Sequence, residues 1–383
     1  MLRLKKATLA LPTISLVKAL ATQPSIQSTS RVSFSPIPAA ELKQRDLNPL
    51  AGRKYLPGSW SQTFPKYLAN PRKDFPYALQ VENVDKVSFA ELGKLCREKL
   101  DANLSRSGVI LFRGTCIQNS RNFKEFTQAL GYQAAGYEGG TGNRQQVDTS
   151  VYSSTDDPMD FNIELHNEMA CSTIYPKKVM FACLTPPGPE SGGLTPISKN
   201  SEILASLDPE VVDILKKRKI RYLRYLPDAK ENPYASWQQS FVTEDKKTVD
   251  DFLQRAGFHY TWGKENNSLF YWYVLDPFIP HPVTGELIWF NQVNVHHNTY
   301  YKESPMFEGV DMPNEMWPTH AQYGDGTEVE KEVLNHVRSA NWANAVGFDW
   351  REGDVMVCDN VLAQHGRLSF SGPRKLLAHL TNN

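Results

Sequence analysis

The chain has 383 residues, and its 42 Lys+Arg are balanced by 42 Asp+Glu for a formal net charge of zero. That balance argues against a nucleic-acid wrapper or a polybasic membrane binder, and no uncharged apolar run approaches the roughly 18–20 residues of a spanning helix, Lys18 interrupting the best stretch. With 40% hydrophobic and 22% charged residues, the composition is that of a globular protein with a sizeable core, long enough for about two domains or one large one.

Residues 1–40 carry Arg3, Lys5, Lys6, Lys18 and Arg31, with no acid before Glu41 and abundant Ser, Thr and Ala. The pattern is that of a transit segment addressed to a mitochondrion or plastid. A secretory signal, with an apolar stretch over residues 7–17 and a small-x-small site at Ala19-Leu20-Ala21, and a disordered tail are the competing readings. The five cysteines are scattered, odd in number and form no C-x-x-C pair, which reads as reduced thiols in an intracellular compartment.

Residues 36–76 are dense in proline, basic and aromatic residues without a clear period, as in an extended segment laid over a core. Ser88-x-x-Glu91 forms a capping box, and Leu92, Leu95, Cys96, Leu100 and Leu104 recur at helical spacing, so a helix is expected to about Arg106. Gly108 then opens a strand over 109–112, an apolar run closed by Arg113-Gly114. Asp208 as cap and Pro209 at the first helical position predict a second helix, followed by a strand over 220–225. A third helix is expected to be capped by Thr248, to turn Phe252 and Leu253 inward and to end at Gly257, with strands at 286–290, 355–358 and 376–380. Few short helices lie among many strands, without repeats or recurring βα units. One β-rich domain from about residue 40 to 383 is therefore expected.

Chemistry concentrates at two places. His166-Asn167-Glu168 puts an imidazole and a carboxylate two residues apart, which on a strand or its extended continuation face the same side. His365 follows the strand at 355–358 and is succeeded by Gly366-Arg367. Two imidazoles and one carboxylate make a facial triad, whose open positions let Fe(II) hold a bidentate co-substrate and O2 together. Alone, the first motif is weak. The same three ligands also suit a zinc hydrolase with an open water position.

The ordered set of motifs resembles the Fe(II)/2-oxoglutarate-dependent dioxygenases of the taurine dioxygenase type, above all their clavaminate synthase-like branch. It comprises a Gly-x-Ile-Leu-Phe-Arg-Gly run ending at Gly114, His166-Asn167-Glu168, Gly192-Gly193-Leu194-Thr195, Gly353-Asp354, Asn360, His365-Gly366-Arg367 and Pro373-Arg374. The resemblance covers residues 107–383. It implies a double-stranded β-helix, or jelly-roll, with flanking helices, and an insertion within about 200–348 that shapes specificity. His166, Glu168 and His365 are then the iron ligands. Arg374, nine residues past His365, binds the distal carboxylate of 2-oxoglutarate, and Thr195 shares it; a planar guanidinium can grip a carboxylate through two parallel bonds. The implied chemistry is oxidative decarboxylation of 2-oxoglutarate to succinate and CO2, coupled to hydroxylation, desaturation or ring closure of a small, amino acid-like substrate.

Two departures bear on that reading. The commoner carboxylate ligand in the family is Asp, whereas Glu168 stands here, as in the clavaminate synthase branch; its presence argues against halogenation, for which relatives lack a carboxylate at this position. Four residues after Arg374, where several relatives carry a second arginine for an acidic substrate group, stands Ala378. Arg144, after the glycine-rich Tyr137-Glu138-Gly139-Gly140-Thr141-Gly142-Asn143, and Arg367 are the candidate cations for the substrate. His296 and His297 could line the substrate space or pack as a loop, and Tyr271-Trp272-Tyr273 reads first as packing, as does His320. An inactive binding protein on a dioxygenase scaffold is the remaining alternative, against which the intact triad and the Arg374–Thr195 pair argue.

Overall fold

A computed structural model describes residues 31–383 except 43, 45, 48, 49, 137–144, 156, 233–235 and 282–283. The basic leader over residues 1–30, and Arg144 with the glycine-rich stretch before it, lie outside the described residues.

At Ser88 the capping box forms as its chemistry dictates. The hydroxyl accepts from the Glu91 N–H at 3.1 Å, and helix Phe89–Ser107 turns Leu92, Cys96, Leu100 and Leu104 inward. Gly108 has a different role from the one expected: with φ +76° it closes the helix as a left-handed cap, and strand Val109–Arg113 starts after it. The strand is central in an eight-stranded sheet, and all five residues are buried because both faces are covered: Val109 and Leu111 pack in one apolar cluster with the small sheet's Ile197 and Ala363, Ile110 and Phe112 in another with Leu92, Cys96, Leu100 and Leu104 of the helix. Among the described residues that sheet runs Ser33–Pro36, Tyr77–Glu82, Val109–Arg113, Val355–Asp359, Lys178–Thr185, Lys375–Thr381, Val151–Ser153 and Gln146–Asp148. The segment at 36–76 does cover the core, burying Phe64, Leu68 and Phe75. The residues just before it add the edge strand Ser33–Pro36, which the sequence pattern did not show.

A second, shorter sheet places Ala363–Arg367 between Ile163–His166 and Ile197–Lys199. The two sheets face each other: the ring of Phe181 in the large sheet lies 5.1 Å from that of His365 in the small one, and Val179, Cys183, Met356, Ile197 and Ala363 share one apolar cluster. This is the expected jelly-roll, two sheets closing over a common core with helices on the outside.

Residues 200–348 contain a third sheet, ordered His259–Trp262, Leu269–Leu275, Ile220–Leu226 and His320–Tyr323. Strand alternation sends Tyr271 and Tyr273 into its core while Trp272 stacks on the His259 ring at 4.1 Å, so the Tyr-Trp-Tyr run is packing. Helix Pro209–Arg218 starts as expected, but the Asp208 side chain makes no cap bond; its backbone N–H donates to His336 Nε2 instead. Helix Lys246–Ala256 ends at Gly257, yet its cap is Asp245 and not Thr248. The Asp245 carboxylate reaches the Lys247 N–H at 3.0 Å and also accepts from the Thr248 hydroxyl, which already lies inside the first turn. Strands Leu287–Trp289, Val355–Asp359 and Lys375–Thr381 fall within one residue of expectation at each end. Among the described residues no helix is long and apolar enough to cross a membrane, and the five cysteines are free.

Candidate metal centre and co-substrate pocket

The small sheet brings together residues 199 positions apart in sequence. His365 sits directly across from His166 in the antiparallel register, so both side chains leave the same face, with ring centroids 4.6 Å apart. Glu168, just past the strand, completes the group: its Oε2 lies 3.9 Å from His166 Nε2 and 3.6 Å from His365 Nε2. The His166 Nδ1 is 2.8 Å from the Glu164 carbonyl oxygen, which only a protonated Nδ1 can satisfy, leaving the Nε2 lone pair for the centre. Both ring nitrogens of His365 are buried without a hydrogen-bond partner among the described residues. An unmet buried imidazole costs about 1–3 kcal/mol, which a divalent metal bound by two imidazole nitrogens and one carboxylate oxygen would offset. The donor set fits Fe(II).

Glu168 is held by its backbone. Asn360 Oδ1 accepts from the Glu168 N–H at 2.7 Å, and Asn360 Nδ2 donates to the carbonyls of Glu168 and Pro176 at 2.9 and 2.7 Å. Asn167 Nδ2 in turn donates to the carbonyls of Asn360 and Ala363. Two supports come from the 200–348 region and escaped the sequence reading: Gln292 Nε2 donates to the Asn167 carbonyl at 2.7 Å and Asn294 Nδ2 to the Leu165 carbonyl at 2.9 Å. The only signal for them was three amide side chains in the four residues Asn291-Gln292-Val293-Asn294, directly after an apolar strand.

Arg374 precedes strand Lys375–Thr381 and is half-buried on the pocket wall. Its Nε donates to the Gly193 carbonyl at 3.0 Å and its Nη2 to Thr195 Oγ1 at 3.3 Å, and among the described residues no carboxylate pairs with it. Burial, and then the charge of Arg367, pull its pKa down to about 9, the mark of a desolvated guanidinium short of an anion. Thr195 Oγ1 also accepts from Trp350 Nε1 at 2.9 Å. With both lone pairs engaged, its O–H proton is left to donate elsewhere. A carboxylate placed here meets both groups. Gly193, at φ +73°, makes room for them, since a Cβ would sit 2.9 Å from Arg374 Cδ.

Triad, Arg374 and Thr195 open into one pocket enclosing about 1060 Å³ of non-atom space, solvent at its mouth included. Phe161, Phe181, Leu376, Tyr300, Tyr301 and Ser304 help line it, with the Phe161 and Tyr300 rings edge to face at 5.0 Å. Arg367 also lines it, with Nη1 on the Asp157 carbonyl at 3.1 Å and Nη2 on those of Pro158 and Phe161 at 2.6 and 2.8 Å, so it holds the loop at 157–161 in place. His296 lines the pocket as well; burial depresses its pKa to about 3, and neither ring nitrogen has a hydrogen-bond partner among the described residues. Ala378 lies in the apolar core. The motif residues Arg113 and Asp354 form a buried ion pair with Nη2–Oδ2 at 2.9 Å, joining neighbouring strands away from the pocket.

The chain is 32% identical over 281 residues to the dapdiamide synthesis protein DdaC of Enterobacter agglomerans, covering 72% of this chain and 82% of that one. It is 26% identical to a clavaminate synthase-like protein of Arabidopsis thaliana, covering 84% and 94%. Among solved structures, PvcB of Pseudomonas aeruginosa superposes with a TM-score of 0.46 at 13% identity, covering 94% of this chain and 95% of that one. Residues 72–381 match the description "Taurine catabolism dioxygenase TauD, TfdA family". A match over that span, joined to the identity with DdaC, shows that the chain belongs to the TauD, TfdA dioxygenase family.

Proposed function

We propose that the protein is an Fe(II)- and 2-oxoglutarate-dependent oxygenase that oxidises a C–H bond of a small, amino acid-like substrate, with His166, Glu168 and His365 holding the iron. The observation that carries this reading is the pairing of an orphaned His365 with an anion-deficient Arg374 in one pocket. Iron, 2-oxoglutarate and O2 bound there supply the oxidising power, with succinate and CO2 as co-products. The chain's part is placement. Arg374 and the Thr195 hydroxyl take the distal carboxylate of the co-substrate, which aims its keto acid end toward the triad. Glu164, through its carbonyl, fixes the tautomer of His166, and Asn360 fixes the main chain of Glu168. The aromatic wall at Phe161 and Phe181 limits water near the reacting carbon. Because Glu168 occupies a carboxylate position, oxygenation is favoured over halogenation.

The substrate side is formed largely by residues 292–319, which we propose as the specificity-determining wall. Its tyrosines and serine, together with Asp157 and Ser154 in the same lining, suit a molecule bearing both hydrogen-bond donors and acceptors; the role of DdaC in dapdiamide synthesis supports an amino acid-derived one. The test is succinate release from 2-oxoglutarate with Fe(II) in air, screened over free and N-acylated α-amino acids. Stimulation by one class, lost in His365→Ala, is expected. Iron-independent turnover, or no succinate under any condition, would overturn the reading.

A further inference from the structure

Two buried polar side chains in the pocket wall are held in place without having their own hydrogen-bonding groups met. Gln292 immediately precedes the short helix Val293–His296, and its carbonyl accepts from the His296 N–H at 2.8 Å, so the two residues stand one turn apart on the same side of the chain. Both line the pocket that holds the triad, at 3% and 2% exposure. Gln292 Nε2 is committed to the Asn167 carbonyl, which fixes the orientation of the amide and leaves Oε1 buried with no partner among the described residues. Neither ring nitrogen of His296 has one either. Tyr222, fully buried in the third sheet, anchors the pair: its hydroxyl oxygen accepts from the Gln292 N–H at 3.0 Å, and its ring meets that of His296 edge to face at 5.4 Å.

The chemistry of the two groups decides what would satisfy them. Gln292 Oε1 is an acceptor only and needs a donor opposite it, whereas a neutral imidazole offers one N–H and one lone pair. The imidazole is neutral because burial, and then the charge of Arg224, depress its pKa to about 3. A carboxylate set against Oε1 would bring acceptor against acceptor. An ammonium would carry a second positive charge into the field of Arg224. A carboxamide meets neither obstacle, since its N–H can donate to Gln292 while its carbonyl accepts from the imidazole N–H.

We propose that Gln292 and His296 form the subsite for a neutral amide group of the primary substrate, the contact that sets the rest of that molecule against the triad. The assignment rests on the oxygenase reading of this pocket and narrows its substrate to a carboxamide-bearing amino acid derivative. The competing arrangement is an ordered water held between the two side chains, with no part in choosing the substrate.

The experiment is isothermal titration, into the full-length chain saturated with Fe(II) and 2-oxoglutarate without O2, of a panel in which asparagine, glutamine and several α-amino acid amides stand beside the isosteric acids and methyl esters. At least one amide should bind about tenfold more tightly, or better, than both its acid and its ester, because each of those leaves a buried polar group unmet. His296→Phe keeps a ring against Tyr222 but removes both nitrogens, and should reduce that preference to about threefold or less. His296→Gln, which again carries a donor and an acceptor, should restore part of it. A preference is a ratio taken within one variant, so a merely structural role for His296 would not move it. A panel in which no amide outbinds its acid and ester, or a preference kept in full by His296→Phe, would overturn the proposal while leaving the oxygenase reading intact. A wild-type chain that binds no 2-oxoglutarate would overturn that reading and this assignment with it.

Discussion

Replacing Arg374 with methionine separates a co-substrate clamp from a structural arginine. The guanidinium makes two neutral contacts, to the Gly193 carbonyl and Thr195, and no carboxylate among the described residues compensates its charge. Its fall toward a pKa of about 9 records that burial costs the fold something which an incoming anion would return. A bidentate charge-assisted pair with a carboxylate is worth about 3–4 kcal/mol once desolvated, so Arg374→Met should weaken 2-oxoglutarate roughly 100- to 1000-fold. The apo fold should hardly notice, because lost contacts to Gly193 and Thr195 are offset by removal of an unpaired, desolvated charge; a melting temperature within about 2 °C of wild type is expected. Isothermal titration of 2-oxoglutarate under anaerobic conditions, beside thermal unfolding without it, reads both numbers. A variant that melts many degrees lower yet binds 2-oxoglutarate normally would refute the argument.

Three further perturbations follow from the geometry. Gly193→Ala places a Cβ against Arg374 Cδ at a left-handed position, so it should raise the 2-oxoglutarate dissociation constant about tenfold while leaving metal affinity intact, as two separate titrations would show. Asn360→Ala removes three hydrogen bonds that fix the main chain at Glu168 and Pro176; metal affinity measured by chelator competition should drop about 10- to 100-fold. His296 is neutral in the fold with a pKa near 3, so the unfolded chain binds the extra proton and stability declines as pH falls from about 6.5 toward 3. Denaturant unfolding should show wild type losing roughly 2 kcal/mol more than His296→Gln between pH 7.5 and pH 5, and equal losses would show that burial does not suppress this protonation.

Local chemistry was legible where one side chain decides the outcome, and less so where two compete or where distant segments meet. The Ser88 box and the apolar run at 109–112 each stand on a local rule and formed as read. Thr248 was mistaken for a cap because Asp245 and Thr248 both suit that role, and the carboxylate that reaches the Lys247 N–H wins. The His166–His365 pairing depends on strand register across 199 residues, which no periodicity encodes; motif resemblance, not spacing, linked them. Gln292 and Asn294 were out of reach for the same reason, since an amide side chain that props up a distant backbone looks in sequence like any other amide. Arg367 was placed at the substrate, and it does line the pocket, but three loop carbonyls take its Nη donors, a satisfaction visible only once the loop at 157–161 is in place. His320, read as structural, lies beside His297, a neighbour that only the third sheet provides.

The most direct test of the central claim is anaerobic addition of Fe(II) and 2-oxoglutarate to the purified chain, watching for the visible charge-transfer band of a keto acid chelated to ferrous iron. Wild type should develop the band, His365→Ala should not, and Arg374→Met should require roughly 100-fold more 2-oxoglutarate to reach it. Absence of the band in iron-loaded wild type, or its persistence in His365→Ala, would contradict the assignment of His166, Glu168 and His365 as the iron-binding centre.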